Sequence, residues 1–134
     1  MGVDVVGIGR MARLLDENDG IADTLFTSDE QAYCARKRRG ADHMAARFAA
    51  KEAVLKAFGT GIGARMRWTD VEIGHAPGGR PVVKLHGAVA ALARRRRLAD
   101  LDVTMSHSAG IAVAQALAVW DVQPSERGRA FPSD

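Results

Sequence analysis

Between residues 43 and 58 apolar and small residues run with little interruption, through Ala45, Ala46, Phe48, Ala49, Ala50, Ala53, Val54, Leu55 and Ala57. Only good or neutral helix formers occur there. Asp42 stands where an N-cap belongs and Gly59 where a helix ends, so the pattern predicts one helix over residues 43–58. At 100° per residue Glu52 and Lys56 share a face, with Phe48 and Leu55 on one flank and Ala49 and Ala53 on the other. Arg47 and Lys51 fall on the far side and supply the rest of the helix's polar surface. On a solvated face, a Glu–Lys pair at i, i+4 is worth a few tenths of a kcal/mol and nothing more. In apolar surroundings the carboxylate needs a cation, and Lys56 or a metal can be that cation.

Elsewhere the period changes. Residues 3–8 carry branched side chains on both sides of the chain, which predicts a strand covered on both faces and puts Asp4 in a buried or half-buried position that calls for a metal or an arginine. Residues 10–15 read as a short amphipathic helix with Arg10 and Arg13 on one side and Met11, Leu14 and Leu15 on another, before a polar loop at 16–20. Thr27 and Glu30 form a capping box, opening a helix that ends in Arg36, Lys37, Arg38 and Arg39, cations suited to a helix C-terminus.

Residues 68–73 and 81–85 read as strands around the turn Ala76-Pro77-Gly78-Gly79. Helical spacing returns over 87–99, with Arg94 to Arg97 as a solvated face. Residues 103–108 and 111–120 form a second predicted hairpin about Ala109 and Gly110. In its last strand Ile111, Val113, Gln115, Leu117 and Val119 alternate with alanines, which leaves one small face able to lie close to Ala49 and Ala53. The sum is an α+β fold, an antiparallel sheet packed on one long central helix. Residues 1–120 are expected to form a single domain and residues 121–134 a loose C-terminal tail.

Composition narrows the class. A chain of 134 residues with 47% hydrophobic and 26% charged residues is globular, and no apolar run approaches a membrane span. No basic and apolar leader opens the sequence, so the expected compartment is the cytoplasm. A lone Cys34 suits a reducing setting and reads as a packing residue. The net charge of +3 favours a polyanionic partner: nucleic acid, a phosphorylated cofactor or an acidic protein. Few aromatics and no nucleic-acid motif argue against the first.

Asp4, Glu52 with Lys56 one turn on, and the glycine-rich run at Gly59, Gly61 and Gly63 converge on phosphate chemistry. Two carboxylates with phosphate oxygens and waters are the usual setting for Mg²⁺, and glycines offer backbone N–H groups to an anion.

The run RFAAKEAVLKAFGTGIG at residues 47–63 resembles the core motif of the holo-acyl-carrier-protein synthase type of 4′-phosphopantetheinyl transferase. The likeness extends to Asp4 in a short N-terminal strand followed by Arg10, to Trp68-Thr69-Asp70-Val71-Glu72-Ile73, to Gly79-Arg80-Pro81 and to Ser106-His107-Ser108, in family order over residues 2–119. It implies the same α+β class, and transfer of 4′-phosphopantetheine from coenzyme A to a serine of an apo acyl carrier protein, releasing adenosine 3′,5′-bisphosphate. The nucleophile then arrives on the partner, so neither Ser106 nor Ser108 is a catalytic serine. By the resemblance Asp4 and Glu52 hold Mg²⁺ against the coenzyme A pyrophosphate and Lys56 neutralises phosphate charge. Glu52, or a metal-bound water beside it, accepts the serine proton. Arg47, Lys51, Gly59, Gly61, Gly63 and His107 line the coenzyme site, with His107 near the 3′-phosphate, and Arg10 meets the acidic helix of the carrier with Arg13 in a smaller role.

The resemblance also implies a homotrimer with active sites between subunits, and neither nucleic acid nor membrane as a partner. One position departs from the family: Gly7 stands where a Glu is common, which leaves the metal's surroundings different. Fatty acid and polyketide carriers stay equally open. Two competing readings are a non-catalytic module that binds coenzyme A or another nucleotide, and a nucleic-acid-binding domain acting through residues 36–39 and 94–97.

Overall fold

Alanines decide how the layers meet. In the computed structural model, which describes residues 1–122, the elements run β1 (Gly2–Gly7), α1 (Ile8–Glu17), α2 (Ile21–Leu25), α3 (Ser28–Ala35) and α4 (Gly40–Ala57). A turn of 3₁₀ helix (Trp68–Asp70) follows, then β2 (Val71–His75), β3 (Pro81–Leu85), α5 (Gly87–Arg95), β4 (Leu98–Ser108) and β5 (Ile111–Trp120). The strands form a three-stranded sheet ordered β1-β5-β4 and a separate β2-β3 hairpin, every pairing antiparallel. Ala112, Ala114 and Ala116 of β5 are buried, as are Ala49, Ala50 and Ala53 of α4, so the helix lies close on the sheet as the alternation predicts. Val54, Leu55, Phe58, Val71, Ile73, Val89 and Val103 complete the main core. The expected tail lies outside the described residues from 123 onward.

Both caps expected of α3 are present: Thr27 Oγ1 accepts from the Glu30 N–H at 3.1 Å and the Glu30 carboxylate accepts from the Thr27 N–H at 2.9 Å. α4 ends as its glycine predicts. Gly59 takes φ +75, its N–H reaches Lys56 O at 3.0 Å and the Thr60 N–H reaches Leu55 O at 3.0 Å, a Schellman cap.

Several expectations need correction. α4 begins at Gly40 with no side-chain cap, and Asp42 sits inside its first turn, where a carboxylate still favours the positive end of the helix dipole. α3 stops at Ala35, so the basic run 36–39 lies in the connection beyond it instead of in its last turn. Residues 68–70 are 3₁₀ helix, not strand. α5 stops at Arg95 because Arg97 adopts φ 62 and turns the chain into β4. β1 is covered on one face only: Val3 and Val5 are exposed, and Asp4 faces α4.

The largest correction concerns Arg47 and Lys51, which are interior and not polar surface. Lys51, 0% exposed, donates to Glu30 at 2.7 Å, to Trp68 O at 3.1 Å and to Val71 O. Glu30 also accepts from the Ile73 N–H at 3.0 Å. Burial pushes the Lys51 ammonium below its ordinary pKa, and Glu30 works against that fall. Arg47 lies 4.1 Å over the Tyr33 ring and bonds His43 O and His75 Nε2. The His75 ring stacks on Tyr33 at 4.4 Å. Cys34 is buried nearby, and burial raises its thiol pKa.

Lys51→Met leaves Glu30 buried without its cation, so a loss of about 3–5 kcal/mol is expected in urea unfolding. A loss under about 1 kcal/mol would mean that the pair is held in contact without contributing to the fold.

Candidate active site

In β1 the residues facing α4 are Gly2 and Asp4, since side chains alternate along a strand. This brings Asp4 onto the end of α4 where Glu52 and Lys56 stand one turn apart. Lys56 Nζ donates to Asp4 Oδ1 at 2.8 Å and to Val3 O at 3.1 Å, so the cation beside Asp4 is a lysine from the helix and not the arginine that the sequence suggested. Lys56 thus bonds the strand carboxylate and not Glu52. Asp4 is 12% exposed in its side chain and Lys56 54%: one end of the pair is held and the other reaches solvent.

Glu52 lines the same cavity as Asp4, and its pKa is raised, first by burial and then by the neighbouring Asp4 carboxylate, against an opposing pull from Lys56. Lys56 is pushed up as well, chiefly by its hydrogen bond to Asp4. Two carboxyls thus line one cavity beside the Lys56 ammonium. They also form a donor set for a hard divalent cation that keeps water or phosphate oxygens around it. Among the described residues no third His, Cys, Asp or Glu joins them into a metal cluster, and Gly7, where the resemblance led to the expectation of a Glu, lines the same cavity. A Cβ at Gly7 would meet nothing closer than 3.7 Å, so space is not the reason for its absence.

Asp4, Gly7, Glu52 and Phe48 line a cavity of about 530 Å³ together with Arg10 and Arg13 of α1. Both arginines are largely free of the core. The strand carboxylate, the helix carboxylate and the α1 arginines are thus gathered in one place, as the sequence suggested.

The remaining expected site residues are not gathered there. Arg47 and Lys51 are buried in the interior, with their polar atoms engaged internally apart from Arg47 Nε. Gly59 spends its N–H on the helix cap, and the Gly63 N–H approaches Met66 Sδ at 3.4 Å. Gly59, Gly61 and Gly63 follow the C-terminal end of α4, the negative end of its dipole. His107 lies at the other end, its Nδ1 3.5 Å from Asp42 and its ring edge-on to His43 at 5.3 Å. From Asp42 to Gly59 the helix spans about 25 Å, so one subunit does not bring His107 and the glycine run together. Sequence reasoning missed Glu30, Tyr33 and His75 as polar neighbours of this helix. For Glu30 the one signal was a cap residue facing a helix with two unexplained cations.

With that geometry in view, comparison with known proteins is informative. The model of the 4′-phosphopantetheinyl transferase superfamily matches residues 1–114, and the chain belongs to this family. Curated relatives place it in the holo-acyl-carrier-protein synthase type. The synthase of Geobacter sulfurreducens is 46% identical over 114 residues, 84% of this chain and 90% of the relative. That of Desulforudis audaxviator is 43% identical over 130 residues, 96% of each. Among solved structures, holo-acyl-carrier-protein synthase from Neisseria meningitidis has a TM-score of 0.81 at 28% identity, covering 88% of this chain and 95% of that one. The Helicobacter pylori synthase in complex with coenzyme A has a TM-score of 0.77 at 26% identity, covering 88% and 98%.

The raised Glu52 pKa fixes a sign. The folded state binds a proton more tightly than the unfolded chain, so stability from this group is present at low pH and is lost as the pH rises through the folded value. Glu52→Gln removes that loss. Without divalent cations, its Tm is expected to gain on the wild type as the pH is raised from about 4 to about 8. Parallel Tm profiles over that range would show Glu52 already neutralised by Lys56.

Proposed function

We propose that the chain transfers 4′-phosphopantetheine from coenzyme A to a serine of an apo acyl carrier protein, with Asp4, Glu52 and Lys56 as its working groups. The observation that carries this reading is the gathering of the Asp4 and Glu52 carboxyls in one cavity with Arg10 and Arg13, Lys56 being bonded to Asp4.

The carrier serine oxygen attacks the phosphorus that bears pantetheine, the P–O bond of the pyrophosphate bridge breaks, and adenosine 3′,5′-bisphosphate leaves with the electron pair. Such a transfer asks for positioning and charge neutralisation more than for a protein nucleophile. Asp4 and Glu52 would hold Mg²⁺, which when bound supplies positive charge to the pyrophosphate oxygens. Lys56, with its exposed ammonium, sets a second positive charge on the oxygens where negative charge builds. Glu52, or a water beside it, would accept the serine proton.

His107 and the glycines at 59, 61 and 63 remain proposed contacts for the coenzyme. Their separation within one subunit supports a site built from two copies, and so a homotrimer with sites between neighbouring subunits. The exposed apolar residues Val3, Val5, Leu117 and Val119 on the outer face of the sheet are in keeping with such an assembly. The reading takes the cytoplasm as its compartment, consistent with Cys34 as an unpaired thiol.

Mass spectrometry of an apo carrier incubated with coenzyme A, Mg²⁺ and the chain should show the phosphopantetheine mass gain on its serine. Asp4→Asn or Glu52→Gln should slow that gain by about a hundredfold or more while the fold persists. Near-normal turnover by either variant at saturating Mg²⁺ would sink the assignment.

Arg10 leads the proposed carrier docking, with Arg13 assisting. An acidic helix meeting exposed arginines gains mainly encounter rate and orientation, and salt screens that gain. Arg10→Glu should raise the carrier KM and flatten its salt dependence while coenzyme A affinity holds. A fall in coenzyme A affinity with the carrier KM unchanged would move Arg10 to the nucleotide site.

A further inference from the structure

The end of β1 lies against α4 with nothing between the two backbones. A Cβ built on Gly2 would stand 2.0 Å from the Ala53 carbonyl oxygen, 2.7 Å from the Ala57 nitrogen and 3.0 Å from the Ala53 carbonyl carbon. These are main-chain atoms of a buried helix and cannot rotate aside. Any side chain at position 2 therefore requires strand and helix to separate by about 1–1.5 Å to restore normal contact.

The consequence falls on the neighbouring inward position. Gly2 and Asp4 point to the same side of β1, and they meet α4 at adjacent places, Gly2 at Ala53 and Ala57, Asp4 at Glu52 and Lys56. β1 is an edge strand, bonded to β5 alone, and Val3 and Val5 are exposed on its other face. Beyond the pairing with β5, the Lys56 side chain, a flexible link from α4 to Val3 O and Asp4, is what draws it back. Displacement at Gly2 would be passed to Asp4 and would open the gap between the two carboxyls.

We propose that Gly2 is a positioning residue of the active site, whose lack of a side chain sets the distance between Asp4 and Glu52 and so the affinity for the divalent cation. This deepens the reading above and rests on Asp4 and Glu52 as the cation's ligands. Gly2 touches neither substrate nor metal; it acts through the approach of β1 to α4.

The test uses Mn²⁺ as a paramagnetic stand-in for Mg²⁺, titrated into the full chain and followed by electron paramagnetic resonance, with circular dichroism to establish the folded fraction. Gly2→Ala is expected to fold and to bind Mn²⁺ about tenfold or more weakly than wild type, the usual scale for loss of a supporting contact. Leu92→Ala, a core change on α5 remote from β1, serves as the control for destabilisation alone, and its folded molecules should bind Mn²⁺ as wild type does.

A third variant reads geometry directly. A glutamate carboxyl reaches about 1.5 Å further than an aspartate, so Asp4→Glu should weaken Mn²⁺ binding in the wild-type background yet restore it at least in part when combined with Gly2→Ala. A purely structural role for Gly2 gives no such reversal. Equal Mn²⁺ affinity of wild type and Gly2→Ala would overturn the role of Gly2 alone. So would equal weakening by Leu92→Ala, a double variant no better than Gly2→Ala, or a Gly2→Ala chain that does not fold. Absence of Mn²⁺ binding by the wild type would overturn the ligand assignment itself and the role of Gly2 with it.

Discussion

The buried pair of Lys51 and Glu30 is the interaction on which the rest of the molecule leans. All three ammonium donors of Lys51 are taken, by Glu30 and by the carbonyls of Trp68 and Val71. Glu30 in turn receives N–H groups from Thr27 and Ile73. One ion pair thus ties α3, α4, the 3₁₀ turn and β2 at a single point. A buried charge is costly, and it is tolerated here because every proton and most lone pairs around it are satisfied. The two-stranded hairpin shares no strand pairing with the larger sheet, and this pair is a main polar link between its β2 strand and α4.

Lys51 and Glu52 are neighbours in sequence and opposites in role. The first is neutralised inside; the second is kept beside another carboxylate. Repulsion at Glu52 would push α4 and β1 apart if both were free to move. The interior pair holds α4 from behind, the alanines of α4 and β5 hold it against the sheet, and Lys56 clamps β1 through Val3 O and Asp4. The acidic site is thereby built on a scaffold already fixed on three sides.

What the sequence made legible followed from short-range rules. Thr27 with Glu30, Gly59 at the end of α4, and the alanine alternation of β5 each depend on a few adjacent residues, and each appears as read. That Asp4 needs a cation was legible, because a carboxylate in an apolar strand demands one, but the expected partner was a metal or an arginine and the structure supplies Lys56. The fate of Lys51 and Arg47 was not legible. Helical spacing says which residues share a face but not whether a partner waits there, and Glu30 and His75 lie 21 and 28 residues away. Helix ends set by a turn of the backbone were missed for a related reason: Arg97 at positive φ ends α5 without a glycine or proline to announce it.

Cys34 has a practical meaning apart from catalysis. It is the only thiol in the chain, it is sealed in the interior, and burial keeps it in its protonated, unreactive form. A second cysteine placed on an exposed position, such as Val122 beyond the last strand, would be the one nucleophile open to a maleimide probe at neutral pH. A fluorophore or spin label could then be attached at a chosen point without first removing the native residue, which makes encounters with a partner directly observable in the unaltered fold.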